Sequence, residues 1–149
     1  VDACSRTGDP AIVAAGDCSV RRLADGSLLR LESVQNAMEQ AKSAAVALLG
    51  RERPFTATPW FWSDQYDVKL QMAGLTAGFD TVVTRGAAKV DATTRKFSWY
   101  YFRAGQLIAI DSLNQSPDHL TGRKLLDKGI SPTPAQAADS SFDLAALLA

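Results

Sequence analysis

The clearest candidate for a binding site in the sequence is the pair Gly16 and Asp17, which follows directly after an unbroken apolar run at residues 11–15. A glycine lets a ligand approach the backbone closely, and an aspartate beyond the carboxyl end of a strand can accept hydrogen bonds from the hydroxyls of a sugar or polyol. A turn that merely ends a strand uses the same two residues. This pair alone therefore leaves a polyol-binding site and a simple turn as open alternatives.

A second candidate site is the start of a helix that the sequence predicts after Ser33. Free backbone N–H groups and the helix dipole favour a negative or partly negative ligand atom at such a position. Glu32 precedes the helix and would repel a phosphate, so the ligand atom expected there is a polarised carbonyl oxygen or a ring nitrogen. The alternative is that Ser33 only caps the helix.

A third candidate is the aromatic segment at residues 59–66, which reads PWFWSDQY and contains two of the three tryptophans. Trp60 and Trp62, if they lie in a loop beside a helix start, would suit stacking against a planar cofactor. Tryptophans are also common in cores and interfaces, which is the alternative interpretation.

Two elements would position the first two candidates. The apolar run at residues 11–15 does not alternate with polar residues, which predicts a strand buried on both faces. Residues 33–49 predict a helix that Ser33 caps and Gly50 ends. Its apolar stripe is rich in alanine and would allow close approach to a sheet or a ligand; the stripe comprises Val34, Ala37, Met38, Ala41, Ala45 and Leu48.

In the remainder of the chain, apolar and polar residues alternate with a period of two, which predicts strands with one exposed face. Four segments fit this pattern: 66–72, 81–85, 96–103 and 106–113. Ala104-Gly105 should join the last two as a hairpin. A helix beginning at Ser116-Pro117 should end near Gly129, and shorter helical turns should begin at Thr133-Pro134 and at Asp143.

These patterns predict an α+β fold in two parts. Residues 56–149 should form an antiparallel sheet with C-terminal helices. Residues 1–55 should contain a strand and a helix left over from a larger α/β domain, with a break at residues 51–54.

The composition argues against several classes of function. Sixteen basic and sixteen acidic residues give zero net charge, so no overall field favours nucleic acid or an acidic membrane surface. The apolar runs are too short to span a membrane. Cys4 and Cys18 lie in no CxxC motif and are expected to be buried, reduced thiols, which favours a cytoplasmic location. His119 has no neighbouring ligand set, so it is expected to be a surface or hydrogen-bonded residue rather than a metal ligand.

The three candidates, in this order, make the chain resemble the carboxyl-terminal part of the flavin-dependent NADH:ferredoxin and NADH:rubredoxin reductases. This putidaredoxin-reductase-like group serves cytochrome P450s and ring-hydroxylating oxygenases. The resemblance is carried by DPAIVAAGDC at residues 9–18, RLESVQNA at residues 30–37 and PWFWSDQY at residues 59–66. It is close in the last two segments and loose after Gly86.

The resemblance implies FAD-binding roles for Gly16, Asp17, Glu32, Ser33, Val34 and Trp62. Asp17 would hold the ribityl chain of FAD, and Ser33 and Val34 would lie against the pyrimidine edge of the flavin. Reduced flavin carries negative charge at that edge, which a helix N-terminus stabilises by about 1 kcal/mol. Trp62 would lie beside the isoalloxazine ring, although the sequence leaves open whether Trp60 takes that place.

The family's glycine-rich fingerprint is missing from the chain. No two of its ten glycines are separated by a single residue, so GxGxxG is absent. The resemblance therefore implies a portion of a longer enzyme that lacks both the FAD pyrophosphate cradle and the NADH domain. FAD is expected in the full-length protein and not in this chain, which should be inactive and has no predicted catalytic or metal-binding residue.

The resemblance also implies partners. NADH would be the electron donor, bound by the missing domain, and a ferredoxin or rubredoxin would be the acceptor. The apolar residues among 1–50 would lack the strands they pack against, so that segment is expected either to self-associate, for example by exchange between chains, or to be poorly ordered, while residues 56–149 stay well packed. The alternative is a non-catalytic interaction or dimerisation module that kept the fold without the chemistry.

Overall fold

A computed structural model describes residues 1–23, 26–86 and 95–149 of the chain. The chain forms two compact units, Val1–Pro59 and Trp60–Ala149. The boundary predicted from the sequence lies slightly earlier, after residue 55.

The principal element of the first unit is helix α1, Val34–Leu48. The side-chain oxygen of Ser33 accepts a hydrogen bond of 3.1 Å from the backbone N–H of Asn36, which makes Ser33 the N-cap. Beyond the helix, Gly50 has a φ of 72°, a left-handed conformation that favours glycine. The predicted helix and both of its end signals are therefore confirmed.

The buried face of α1 is not the one that the apolar stripe suggests. Asn36, Gln40 and Ser43 are almost fully buried, together with Ala44, whereas Val34 and Met38 on the stripe are 57% and 56% exposed. The polar face is turned inward because its groups find hydrogen-bond partners inside the unit. Periodicity shows which side chains share a face, but it does not show which face the rest of the chain covers.

The predicted strand at residues 11–15 is wrong for this chain. Val13 makes one isolated antiparallel bridge with Arg6, and Ile12 is 53% exposed. A strand buried on both faces lies within a sheet whose two faces are covered by other elements. Within the described part of the first unit, the paired strands are the two-residue β1, Arg21–Arg22, and β2, Leu28–Leu29. The apolar run instead leads into a 3₁₀ turn at Gly16–Cys18.

The second unit is built on a five-stranded antiparallel sheet with the spatial order β3-β4-β7-β6-β5. Its strands are β3, Trp60–Gln65; β4, Val68–Gly74; β5, Thr81–Gly86; β6, Phe97–Arg103; and β7, Gln106–Leu113. The predicted hairpin turn at Ala104-Gly105 is confirmed, with positive φ at both residues. Tyr66, predicted at the start of a strand, instead lies fully exposed in the β3–β4 turn with a φ of 56°.

Helices cover one face of this sheet. Helix α2, Ser116–Lys128, packs on β4 and β7, and helix α3, Pro134–Ala138, packs on β5; a 3₁₀ helix at Leu144–Leu148 follows. The core between helices and sheet contains Tyr100, Phe102, Ile110 and Leu125, each with no exposed surface. The α+β class, with an antiparallel sheet and C-terminal helices, is confirmed.

The ends of α2 agree with the sequence except at the first residue. Gln115 occupies the N-cap position that was predicted for Ser116, whose hydroxyl lies 2.6 Å from the side-chain oxygen of Gln71 on β4. Gly129 ends the helix with a φ of 65°, as predicted. Within the helix, a Cβ at Gly122 would lie 2.8 Å from Cδ1 of Ile110, so only glycine lets α2 approach β7 this closely.

Candidate functional site

A buried polar cluster centred on Gln40 joins the Gly16–Cys18 turn to α1. The side-chain oxygen of Gln40 lies within hydrogen-bond distance of the Gly16 N–H (2.7 Å), the Ser19 hydroxyl (2.9 Å) and the Asn36 amide nitrogen (3.2 Å). Gln40 itself is only 2% exposed. Leaving such buried donors unpaired would cost about 1–3 kcal/mol each, so the cluster fixes the turn against the helix.

Gly16 approaches α1 at a position where the helix carries a small side chain. Its φ is 79°, and a Cβ placed on it would lie 3.5 Å from the Cβ of Ala37. Ala37 is one helical turn beyond the cap residue Ser33. The alanine-rich helix thus permits a close approach, as its composition predicted, but the partner is the 3₁₀ turn rather than a sheet.

The remaining residues predicted for the first two candidate sites lie on the surface of the same unit. The side chains of Asp17, Glu32 and Val34 are exposed, and Ser33 is half-buried. Glu32 pairs with Arg30, whose Nε lies 3.0 Å from the carboxylate oxygen. This exposed pair partly offsets the negative charge that was expected to repel a phosphate, and Arg30 two residues upstream was the sequence signal for it.

Trp60 and Trp62 lie on β3, and not in a loop as the sequence analysis expected. Residues two apart on a strand project to the same face, and the two rings stack with centroids 5.5 Å apart and planes 27° apart. Trp60 packs against the core of the second unit, whereas Trp62 is 40% exposed. Trp62 is therefore the more accessible ring of the pair.

Two residues of α2 complete this aromatic cluster. The guanidinium of Arg123 lies 4.9 Å from the centroid of the Trp60 ring, and the His119 ring lies 6.2 Å from it. A cation over an indole face is attracted by the electron density of the ring. Their proximity to the tryptophans was not predicted from the sequence, although the spacing of four between His119 and Arg123 places them on one helix face.

His119 is buried, which corrects the expectation of a surface or hydrogen-bonded histidine. It is 1% exposed, and its Nδ1 has no hydrogen-bond partner among the described residues. Burial lowers the pKa of the imidazole, and the positive charge of Arg123 lowers it further. The ring is therefore held neutral near pH 7.

Other chemistry finds little support in the described residues. They contain no group of three or more histidine, cysteine or acidic side chains that could hold a metal ion. The helices found there are too short or too polar to cross a membrane. Cys4 and Cys18 are both free thiols; Cys4 is buried as expected, whereas Cys18 is exposed, contrary to the expectation.

Comparison with known proteins gives a consistent result over most of the chain. Residues 60–148 match the family model described as Reductase C-terminal. The chain is 47% identical over 145 residues to rhodocoxin reductase of Rhodococcus erythropolis and 35% identical over 147 residues to putidaredoxin reductase CamA of Pseudomonas putida. Each alignment covers 97% of this chain and 33% of the relative, so the chain spans about a third of their length.

Solved structures show the same similarity. The ferredoxin reductase for the CYP199A2 system from Rhodopseudomonas palustris matches with a TM-score of 0.90 and 49% identity, covering 100% of this chain and 36% of that protein. The reductase of the covalent putidaredoxin reductase–putidaredoxin complex matches with a TM-score of 0.87 and 32% identity, covering 99% and 35%.

We expect the His119 imidazole to titrate below its ordinary pKa of 6.5. Because the pKa is lower in the folded than in the unfolded chain, this group contributes stability above pH 6.5 that is lost as the pH falls through the folded pKa. The chain has one histidine, so the pH titration of its ring-proton NMR signals measures the midpoint directly.

The variant Arg123→Gln should raise this midpoint, because the neighbouring positive charge is lost, yet leave it below 6.5 because the ring stays buried. Lys124→Gln is the matched control, since Lys124 is exposed and adjacent in sequence. A midpoint at or above 6.5 in the parent, or an equal shift in both variants, would contradict this account.

Proposed function

Because the chain belongs to the Reductase C-terminal family, which it matches over residues 60–148, we propose that it is the carboxyl-terminal portion of an FAD-dependent oxidoreductase. That enzyme would pass electrons from NADH through FAD to a ferredoxin or rubredoxin. The observation that carries the proposal is the 47% identity to rhodocoxin reductase, which extends over 97% of the chain and so includes both units.

In this proposal, residues 1–55 are the end of an FAD-binding domain and residues 56–149 are the reductase C-terminal domain. The start of the family match at residue 60 and the compactness of the unit Trp60–Ala149 support the division. The exposed apolar stripe of α1 supports an incomplete first unit, because such side chains are normally covered within a complete domain. The isolated chain would be inactive, since the fingerprint glycines for dinucleotides are absent from its sequence.

The residues of the first unit have the chemistry to form one wall of a flavin site. The exposed Asp17 carboxylate can accept hydrogen bonds from ribityl hydroxyls, and the buried Gly16 beside it lets the turn pack closely against α1. The backbone N–H of Val34, the first residue of α1, has no acceptor within the helix and lies at the positive end of the helix dipole, so it can donate to a partly negative edge. These residues would hold FAD, which when bound would supply the hydride-accepting and electron-transfer chemistry.

The remaining site assignments rest on the family resemblance. Glu32, at the helix start, and Trp62, the accessible ring on β3, are proposed as further FAD contacts. The proposed ferredoxin-type acceptor is supported by the relative described in a complex with putidaredoxin. A role in supplying an oxygenase is supported by relatives named for the CYP199A2 system and for a 5,5'-dehydrodivanillate O-demethylase.

We expect the longer protein to be yellow when purified, with an absorbance band at about 450 nm that is lost on adding NADH without oxygen. The band reports oxidised flavin, and its loss reports transfer of the hydride. NADPH at the same concentration is the control for the nicotinamide. A colourless protein would favour the alternative, a non-catalytic interaction or dimerisation module.

In that protein, Asp17→Ala should raise the FAD dissociation constant about tenfold or more, because a charge-assisted hydrogen bond is lost. Trp62→Ala should leave FAD bound and change the rate of reduction by NADH or of acceptor reduction. Asp127→Ala removes an exposed carboxylate from α2 and is the matched control. Flavin fluorescence on dilution measures release. Equal retention by the Asp17 and Asp127 variants would refute the role of Asp17.

The exposed stripe of α1 supports a second proposal, self-association of the chain through residues 1–50. Sedimentation velocity should show oligomers that grow with concentration and decline in the double variant Met38→Gln/Leu48→Gln, since both side chains are more than half exposed. Leu120→Gln, on α2 and 52% exposed, is the control and should not change association. A chain that remains monomeric at high concentration rules the proposal out.

A further inference from the structure

We propose that Gln40 is a positioning residue for the flavin site, because its side-chain oxygen holds both parts of the site on the first unit in place. One part is the turn that carries Asp17, and the other is the start of α1. The inference rests on the proposed function, in which Asp17 binds FAD.

The two donors on the turn bracket Asp17 in the sequence. Gly16 donates its backbone N–H to Gln40 Oε1 over 2.7 Å, and the Ser19 hydroxyl lies 2.9 Å from the same atom. That hydroxyl also lies 2.9 Å from the Gly16 carbonyl oxygen. The backbone on each side of Asp17 is thus held by one buried oxygen, while the Asp17 side chain stays exposed.

Besides the close packing of Gly16 beside Ala37, the turn is held against the helix by these hydrogen bonds. Gly16–Cys18 is only three residues long, and its N-terminal residue makes no side-chain capping bond. Cys18 and the Ser19 N–H bond back within the segment, to Ala15 and Gly16. In the described part of the chain, the hydrogen bonds that join this turn to α1 both end on Gln40 Oε1.

The same oxygen is linked to the start of α1 through Asn36. Asn36 Nδ2 lies 3.2 Å from Gln40 Oε1 and donates to the carbonyl oxygen of Leu31 over 2.8 Å. The Asn36 backbone N–H donates to the capping oxygen of Ser33. A shift of Gln40 would therefore disturb the turn and the helix start together, although Gln40 is 2% exposed and has no open surface with which to touch a ligand.

The chemistry of the position requires an acceptor. A methionine has about the same length as glutamine but only a weakly accepting sulfur, whereas a glutamate keeps oxygen atoms that accept the same donors. The pair Gln40→Met and Gln40→Glu therefore separates loss of the hydrogen bonds from a change in side-chain size.

The test uses the longer FAD-containing protein and measures the FAD dissociation constant by flavin fluorescence and unfolding by urea. Gln40→Met should weaken FAD binding about tenfold, and Gln40→Glu should recover most of that loss. Ser43→Ala is the matched control, because Ser43 is buried on the same helix but donates to the Arg53 carbonyl oxygen, away from the turn. It should reduce stability and leave the FAD dissociation constant unchanged.

A double-mutant cycle with Asp17→Ala distinguishes positioning from general destabilisation. If Gln40 acts through Asp17, Gln40→Met should weaken FAD binding far less in the Asp17→Ala background than in the parent. Independent, additive effects, or no rescue by Gln40→Glu, would overturn the positioning role.

Two further outcomes separate this proposal from the one it rests on. If Asp17→Ala leaves FAD binding unchanged, the proposed function of Asp17 fails and the role of Gln40 fails with it. If Asp17→Ala weakens binding but Gln40→Met does not, only the positioning role fails. Should Gln40→Met not fold, Ser19→Ala removes a single donor and should still weaken FAD binding severalfold; an unchanged value contradicts the proposal.

Discussion

Burying a polar group is costly unless it finds a hydrogen-bond partner, and the first unit is organised around the face of α1 whose polar groups find such partners. Gln40 receives donors from the 3₁₀ turn and from its own helix, and Ser43 donates to the Arg53 carbonyl oxygen. Arg21, which is 9% exposed, donates to the Phe55 carbonyl oxygen over 2.8 Å and stacks on the Phe55 ring. The segment after the helix is thereby bound by polar contacts, since few large apolar side chains are buried here.

The second unit differs from the first in that burial of apolar side chains dominates its core. The helices pack on a sheet face that presents Tyr100, Phe102 and Ile110, and Gly122 lets α2 approach closely. Arg85 makes polar contacts across this unit: it lies 3.5 Å from the Asp118 carboxylate and donates to the Phe142 carbonyl oxygen over 2.9 Å. This residue thus links β5 to α2 and to the C-terminal segment, so the helices and the sheet edge are held in one arrangement.

The contrast between the two faces of α1 bears on the proposed function. The polar face is closed by hydrogen bonds within the unit, while the apolar stripe is left exposed. An exposed stripe at helical spacing is costly in water, so its retention is consistent with a chain that spans about a third of the relatives it matches. The polar network would then maintain the Asp17 turn whether or not the stripe is covered.

The sequence by itself determined the features that depend on neighbouring residues. The cap at Ser33, the glycine stops at Gly50 and Gly129, the hairpin turn at Ala104-Gly105 and four of the strands in the sheet agree with the structure, because each depends on local backbone preferences. The three motifs also predicted the family correctly.

Tertiary structure alone decided the features that depend on distant partners. These are the buried face of α1, the loss of the strand at residues 11–15, the strand that carries Trp60 and Trp62, and the burial of His119. Hydrophobic periodicity defines which side chains share a face, but the surface that covers a face comes from residues far away in the chain. The acceptor role of Gln40 is of this kind, since its donors Gly16 and Ser19 lie more than twenty residues upstream.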